Sequence, residues 1–432
     1  MKKLIALALC TVMVLCASCA KAEAPVETAA VKEETTAAPT TAAPETKAPE
    51  TEAPKEEEKP AAEEPKYIEN PALLHPSITI NHEGAQTQGN RMAFTVTYPN
   101  VNLPEDEAKK YPELATALLE DLNNNFDMFA LDAKQRIVEN FDDSMLQDEN
   151  FDGYYYKTNA AVTRCDENFF SVKSTNDAWF GGAHPDYAVQ GTTYKTIEGT
   201  LVTPADIFKD KESLLTVLKE KLTAIPDVEY FNLEEDLKQY EFESSYMANK
   251  IAFNMILTSD AVVFYFNPYE LAPYASGMQI VTLPYSAYAD IMRPGVANAS
   301  ANYVYPVDMN AEVVSQNGTF TVSGQYNEYG ICKNIVLTVD GTQESFETFS
   351  YAQRPYLVQK DGKTSVVIFQ DADDDEVFYQ TFTISGGKAS LEGKKEYKDK
   401  SKFEQLSGTP MRDDWSFYAN KTTRACFCDP DQ

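Results

Sequence analysis

Histidine is scarce in this chain: three residues in 432, namely His75, His82 and His184. None stands four residues from another and no HExxH run occurs, which argues against a histidine-built zinc site. Cysteine is nearly as thin. Of seven, Cys10 and Cys16 lie within residues 1–18 and Cys19 follows them, leaving Cys165, Cys332, Cys426 and Cys428. Four sparse cysteines in a large chain make no disulfide framework, and their pairing state stays open. Cys426-Phe427-Cys428 has one residue too few for a redox CxxC and no second pair for zinc. Basic charge is short as well, with 37 Lys and Arg against 67 Asp and Glu and a net charge of −30. That balance argues against nucleic acid and anionic lipid as partners and suits cationic ones, or is simply the mark of a soluble surface. No GxSxG, P-loop, dinucleotide fingerprint or zinc pattern occurs, so no catalytic residue, metal ligand or cofactor is assigned. With so many carboxylates, no pair stands out as the acid and base of a glycosidase.

What the chain does have begins at its N-terminus. Two lysines precede an apolar run from Leu4 to Leu15, shorter than the ~20 residues of a membrane-spanning helix, and small residues follow. Residues 1–18 therefore read as a signal peptide. Cys16-Ala17-Ser18-Cys19 resembles the lipobox of bacterial lipoproteins, which makes Cys19 the expected lipidated N-terminus and the outer face of a bacterial membrane the expected location. Two acyl chains suffice for stable anchoring. An ordinary cleaved signal is the alternative. Residues 20–66 hold twelve glutamates, six lysines, many Pro, Thr and Ala, and no aromatic residue. Such a segment cannot bury enough apolar surface to order itself and reads as a disordered linker. At ~3.3 Å per residue it could reach about 150 Å.

The remainder is long enough for two domains. In residues 67–295 helices and strands mix. Met92 to Pro99 alternates Phe94, Val96 and Tyr98 as a half-buried strand does. Leu114, Leu118, Leu122, Phe126, Phe129, Ala133, Ile137 and Phe141 recur in steps of three and four, predicting a helix over about 111–141. Leu214, Leu215, Leu218 and Leu222 predict a second helix over 211–222. Two strands flank the turn Asp166-Glu167-Asn168, and an apolar strand, a Pro- and Tyr-rich turn and another strand fill 261–288. The small-residue stretch "PGVANASA" reads as a connection. Residues 301–432 are short strands between Gly and acidic turns, predicting an all-β domain, either a sandwich or propeller-like blades. The final "ACFCDPDQ" offers no closing strand, and the chain could stop inside this domain. The fold class expected is α+β: helices packed on an antiparallel or mixed sheet, followed by an all-β C-terminal domain.

Two stretches carry a family resemblance. "GGAHPDYAVQGTTYKTIEGTLVTPADIF" holds a GGAH turn, a strand, and the run Glu198-Gly199, Leu201, Asp206, Phe208; "VVFYFNPYELAPYASGMQIVTLPY" holds an apolar strand, a PYELAPY turn and a closing strand. Both resemble the extracellular domain of RsiV-type anti-sigma factors, a module also carried by PdaC-type peptidoglycan deacetylases outside their catalytic domain. The resemblance implies a binding module rather than an enzyme, with lysozyme or a cell-wall fragment as ligand. The chain shows neither a cytoplasmic anti-sigma segment nor a recognisable deacetylase domain. A non-catalytic ligand-binding lipoprotein is the expectation. An enzyme modifying wall glycan or peptide, an accessory to one, and an architectural surface protein are the alternatives.

The candidate ligand-binding residues are His184, Tyr269, Glu270 and Tyr274. His184 follows Gly181 and Gly182, which permit positive φ, and precedes Pro185, which holds it extended, so a structural turn explains the motif and ligand contact is its functional alternative. Tyr269 and Tyr274, among prolines, suit interface anchors and equally suit packing beneath their own loop. Asp371 to Glu376, "DADDDE", places carboxylates at alternate positions, but Glu376 stands where a calcium loop needs glycine and Phe382 where it needs glutamate, so a solvated hairpin turn is favoured.

Overall fold

Leu114, Leu118, Leu122, Phe126 and Ala130 follow one another at intervals of four, and each such step overshoots an α-helical turn of 3.6 residues by about 40°. A straight helix would wind them off its buried face. In the computed structural model the helix Pro112–Ala117 passes into a π-helical segment, Leu118–Asn123, before Asn124–Asn140 resumes the α form, and all five side chains are buried. The wide segment has a second cause. Asn123 is buried, accepting from the Val101 N–H at 2.7 Å and donating to its carbonyl at 2.9 Å, which ties the helix to the end of a strand.

The structure describes residues 67–86, 92–141, 151, 153–245, 251–372, 377–397 and 420–426; Cys19 and residues 373–376 of the acidic turn lie outside them. Everything described falls within one compact unit, Lys66–Gln432. The fold is α+β, with an all-β C-terminal region.

The first part is built on β1 (Ser77–Gln86), β2 (Met92–Asn102), β3 (Tyr154–Cys165), β4 (Phe169–Trp179) and β5 (Asp186–Lys195). Neighbours are antiparallel except β2 and β3, a parallel pair joined by the long helical crossover, so the sheet is mixed. Helical residues cover one face, where Leu114, Leu118, Leu122 and Phe126 meet Val162, Phe170, Val172 and Tyr194. A smaller antiparallel sheet of β6 (Met255–Leu257), β7 (Ala261–Phe266) and β8 (Gln279–Pro284) lies beside β5. It carries the second core, closed by Leu214, Leu218 and Leu222 of the helix Lys211–Thr223. Gly191 sets the contact between the two sheets: a Cβ there would stand 2.2 Å from the Met255 carbonyl oxygen.

The second part comprises β9 (Tyr303–Pro306), β10 (Val313–Ser315), β11 (Gly318–Tyr326), β12 (Cys332–Val339), β13 (Thr342–Ser350), β14 (Ala352–Lys360), β15 (Lys363–Asp371), β16 (Val377–Ser385) and β17 (Lys388–Tyr397). They form two antiparallel sheets, β10-β11-β12-β13 and β17-β16-β15-β14-β9, whose inward residues share one core, including Val322, Ile335, Leu357, Val366 and Phe382. Of the two architectures the sequence allowed, this is the sandwich. Of the final "ACFCDPDQ", residues 427–432, Cys428 among them, lie outside the described residues; ahead of them β18 (Asn420–Ala425) pairs antiparallel with β1 in the first sheet, and Cys426 enters the same core as Cys165. Asn-Lys-Thr-Thr-Arg-Ala has no apolar alternation, and it lies at the edge of its sheet.

Two buried ionic clusters join these parts. Arg164 and Asp166 are both about 1% exposed and pair at 2.8 Å. Arg164 also donates to the Val296 carbonyl at 2.9 Å and to that of Asn298, fixing the "PGVANASA" connection, while Asp166 accepts from the Asn168 and Phe169 N–H groups at 2.9 Å. Asp260, in the β6–β7 turn, accepts from the Tyr303 hydroxyl at 2.7 Å and from Tyr305 at 3.3 Å. Burial pushes its carboxyl up to about 6 against the opposing pull of those hydroxyls and of Arg164. An unfolded aspartate titrates near ~3.9, so the fold holds this proton more tightly than the unfolded chain does. The stabilising contribution is complete below about pH 4 and is lost as pH rises through about 6. Asp260→Asn, which can still accept from both tyrosines, is expected to gain stability relative to wild type between about pH 4 and 7, read as melting temperature against pH. Parallel curves for the two proteins would contradict the assignment.

Candidate functional site

The end of the β4–β5 hairpin meets the β7–β8 loop. Gly181 and Gly182 adopt φ of +93° and +113°, turning the chain at the hairpin tip as their sequence suggests, and β5 begins immediately after Pro185. The loop opposite is held by one side chain. Asn267 accepts from the Val189 N–H at 2.8 Å and donates to the Val189 carbonyl at 3.1 Å and to Glu270 Oε1 at 3.2 Å. Asn254 acts likewise on β5, accepting from the Gly191 N–H at 2.7 Å and donating to the Val189 carbonyl at 2.6 Å. Two asparagines thus satisfy the outer edge of β5 where, among the described residues, no further strand pairs with it.

On this base three of the four candidate residues come together. The His184 and Tyr274 rings stack with centroids 4.0 Å apart and 24° between planes, and Tyr269 lies 5.6 Å beyond Tyr274. Tyr274 donates its hydroxyl to the Pro185 carbonyl at 2.9 Å, the same oxygen that His184 Nδ1 approaches at 2.9 Å. Tyr269 takes φ +70°, rare for a non-glycine residue, and is 49% exposed. Strain of this kind persists only where the surroundings fix it; here its N–H bonds to the Ala272 carbonyl at 3.0 Å. The fourth residue, Glu270, serves the loop itself. Its carboxylate receives Asn267 and, at 3.4 Å, the Tyr240 hydroxyl, and burial raises its affinity for a proton against those hydrogen bonds. His75 and His82 stand elsewhere, beside Glu107 and Thr97.

Asp177 and Asp186 belong to the same hairpin as His184, and Asp308 follows β9. Asp186 is exposed beside His184, and Asp177 accepts from the Tyr155 hydroxyl at 3.1 Å. Burial, and then Asp177, push Tyr155 up to about 12. Asp308 pairs with Lys173 at 2.5 Å and accepts from Tyr265 at 2.8 Å; burial alone would raise its carboxyl, but Lys173 and these bonds hold it below its ordinary value. The arrangement is an aromatic ladder with Asp186 beside it, at the surface rather than in an enclosed pocket. Two hollows elsewhere in the fold, under the long helix and behind β5, have room of ≈ 10 and ≈ 20 Å³, about one water each. Among the described residues, no group of three or more His, Cys, Asp or Glu is placed to hold a metal ion.

Asn254 and Asn267 have no signal in the sequence beyond asparagines flanking apolar strands; their partners are backbone atoms more than 60 residues away. The motif residues of the Glu198–Phe208 run are scaffold. Gly199, at φ +62°, leaves room for the Glu113 carbonyl, and Asp206 closes a capping box with Thr203 and pairs with Lys195 at 2.6 Å. Phe208 is fully buried.

An α+β protein with this loop arrangement carries a recognisable domain. Residues 205–286 match the family model described as "Protein of unknown function (DUF3298)". Among solved structures, the chain is similar to a DUF3298-family member from Bacteroides fragilis, at 20% identity over 53% of this chain and 96% of that one, with a TM-score of 0.36. It is also similar to a DUF3298-family protein from Pseudomonas aeruginosa, at 18% identity over 52% of this chain and 96% of that one, with a TM-score of 0.33. No curated protein matches the chain. No described helix is long and apolar enough to cross a membrane.

Proposed function

We propose that the part of the chain containing the DUF3298 domain is a non-catalytic binding module, displayed outside a bacterial cell on a lipid anchor and a long linker, and that it captures a cationic wall-associated protein with lysozyme as the leading candidate. The observation that carries the reading is the His184–Tyr274–Tyr269 ladder, with His184 and Tyr269 exposed and Tyr274 half-buried between them, locked to β5 through Asn267 and with Asp177 and Asp186 on the same hairpin as His184. Preordered aromatic rings lose little freedom on binding and make effective anchors. Net charge of −30 favours a cationic partner and speeds its encounter. The resemblance of the GGAH and PYELAPY stretches to RsiV-type ectodomains points the same way. Surface plasmon resonance of lysozyme over the immobilised chain tests the reading: saturable binding at physiological salt is expected, and its absence contradicts it.

The anchor is tested separately. Cys19→Ala should move the protein from the membrane fraction to the medium, because no acyl chain can then be attached at that position. Retention of the variant in the detergent phase would show that the lipobox is not the means of attachment.

A further inference from the structure

We propose that Asp177 and the ring of Tyr187 form a seat for the guanidinium group of an arginine side chain presented by a partner protein, which rests on the reading of the β4–β5 hairpin as part of a contact surface. Alternation settles which way these side chains point. Tyr154, Tyr156 and Ala178 share a core with Ala130, Ala133 and Ile137 of the long helix. Tyr155 and Asp177, next to them in β3 and β4, therefore face the other side of the sheet. Tyr187 stands opposite Asp177 across the β4–β5 pair and shares that side. The Tyr155 hydroxyl reaches Asp177 Oδ1 at 3.1 Å, as residues on one face can. Tyr187 is 42% exposed and Asp177 half-buried.

The charge on this carboxylate is left uncompensated. Asp166, Asp206 and Asp308 are each paired with a lysine or arginine, whereas among the described residues Asp177 has no such pair. The Tyr155 hydroxyl that it accepts is neutral and occupies Oδ1, which leaves Oδ2 for another donor. Lys157 stands opposite Asp177 on β3, but its ammonium lies over the Tyr155 ring, 5.0 Å from the centroid, so a ring on this face already draws one cation. Tyr187 also lies near Asp308: burial first, then Asp308 and then Asp177 raise the affinity of its hydroxyl for the proton. Asp308 is engaged by Lys173 and Tyr265, so Asp177 is the carboxylate beside this ring that remains to be matched.

The chemistry selects the guest. An exposed tyrosine ring beside a half-buried, unpaired carboxylate attracts a cation through both the ring face and the charge. Guanidinium suits the pair better than ammonium. It is flat and weakly hydrated, so it can lie on the Tyr187 ring while one N–H group bonds to Oδ2. An ammonium is compact and strongly hydrated, and it gains from the charge without stacking.

The test is calorimetric titration of the purified chain at physiological salt with hexa-arginine and hexa-lysine, peptides of equal charge. Hexa-arginine is expected to bind at least about threefold more tightly than hexa-lysine. Asp177→Asn, whose amide oxygen still accepts from Tyr155, should weaken hexa-arginine about tenfold, and Tyr187→Ala about fivefold. Asp132→Asn removes the same charge from the exposed side of the long helix and should leave the affinity within about twofold of wild type. An unchanged melting temperature of Asp177→Asn verifies that the fold is intact. No measurable binding of hexa-arginine overturns the proposal. So does equal weakening by Asp177→Asn and Asp132→Asn, which would reduce the effect to overall charge, and so does equal affinity for the two peptides. Because the probe is a peptide, failure of this seat is read separately from failure of lysozyme to bind.

Discussion

Arg164→Ala is expected to lower the stability of the chain by about 3–5 kcal/mol, the usual effect of leaving a buried partner charge uncompensated. Asp166 would keep its two backbone donors, Asn168 and Phe169, but lose the guanidinium 2.8 Å away. The Val296 carbonyl would lose the Arg164 donor and the Asn298 carbonyl one of two, keeping Asn168 Nδ2 at 3.0 Å, so the connection leading to the sandwich would loosen. Arg164→Lys should recover only part of the loss, since one ammonium cannot reproduce bonds that leave a planar fork in three directions. Urea denaturation gives the comparison directly. A variant within about 1 kcal/mol of wild type would show that the pair holds nothing together.

The second large effect concerns the aromatic ladder. Removing both stacked rings, in His184→Ala with Tyr274→Ala, should weaken lysozyme binding at least ~30-fold, as truncation of a central anchor pair does. Stability should change little, because His184 is exposed and Tyr274 half-buried, with its hydroxyl on a loop carbonyl. A matched loss of stability and binding would instead mean that the rings are packing for their own loop.

The stripe from Leu114 to Ile137, the alternation of Phe94, Val96 and Tyr98, and the glycines before His184 were all legible in the sequence, because each is a local rule of period or backbone conformation. The π-helical segment was not. It arises where a side chain, Asn123, is drawn to the end of β2, and no period announces a distant backbone partner. Strand β18 escaped for a related reason: Asn420 to Ala425 shows no apolar alternation to read, and its pairing with β1 joins residues more than 300 apart in the chain. Of the candidate site, the sequence shows His184 and the pair Tyr269 and Tyr274 as separate marks more than 80 residues apart in the chain. That they stack, and that Glu270 instead serves the loop, depends on Asn267 reaching β5. The DUF3298 match over 205–286 begins after the GGAH turn, so it contains the two tyrosines but not the histidine.

The central claim, specific capture of a cationic protein by the ladder face, is tested most directly by comparing lysozyme with cytochrome c, of similar positive charge, on the immobilised chain at low and physiological salt. The Debye length shrinks from about 30 Å at 0.01 M to about 8 Å at 0.15 M, so attraction by overall charge fades for both proteins. The account predicts that cytochrome c binding vanishes at physiological salt while lysozyme binding persists with a slower on-rate and is abolished by removing His184 and Tyr274. Equal binding of the two proteins, falling together as salt rises, would contradict it.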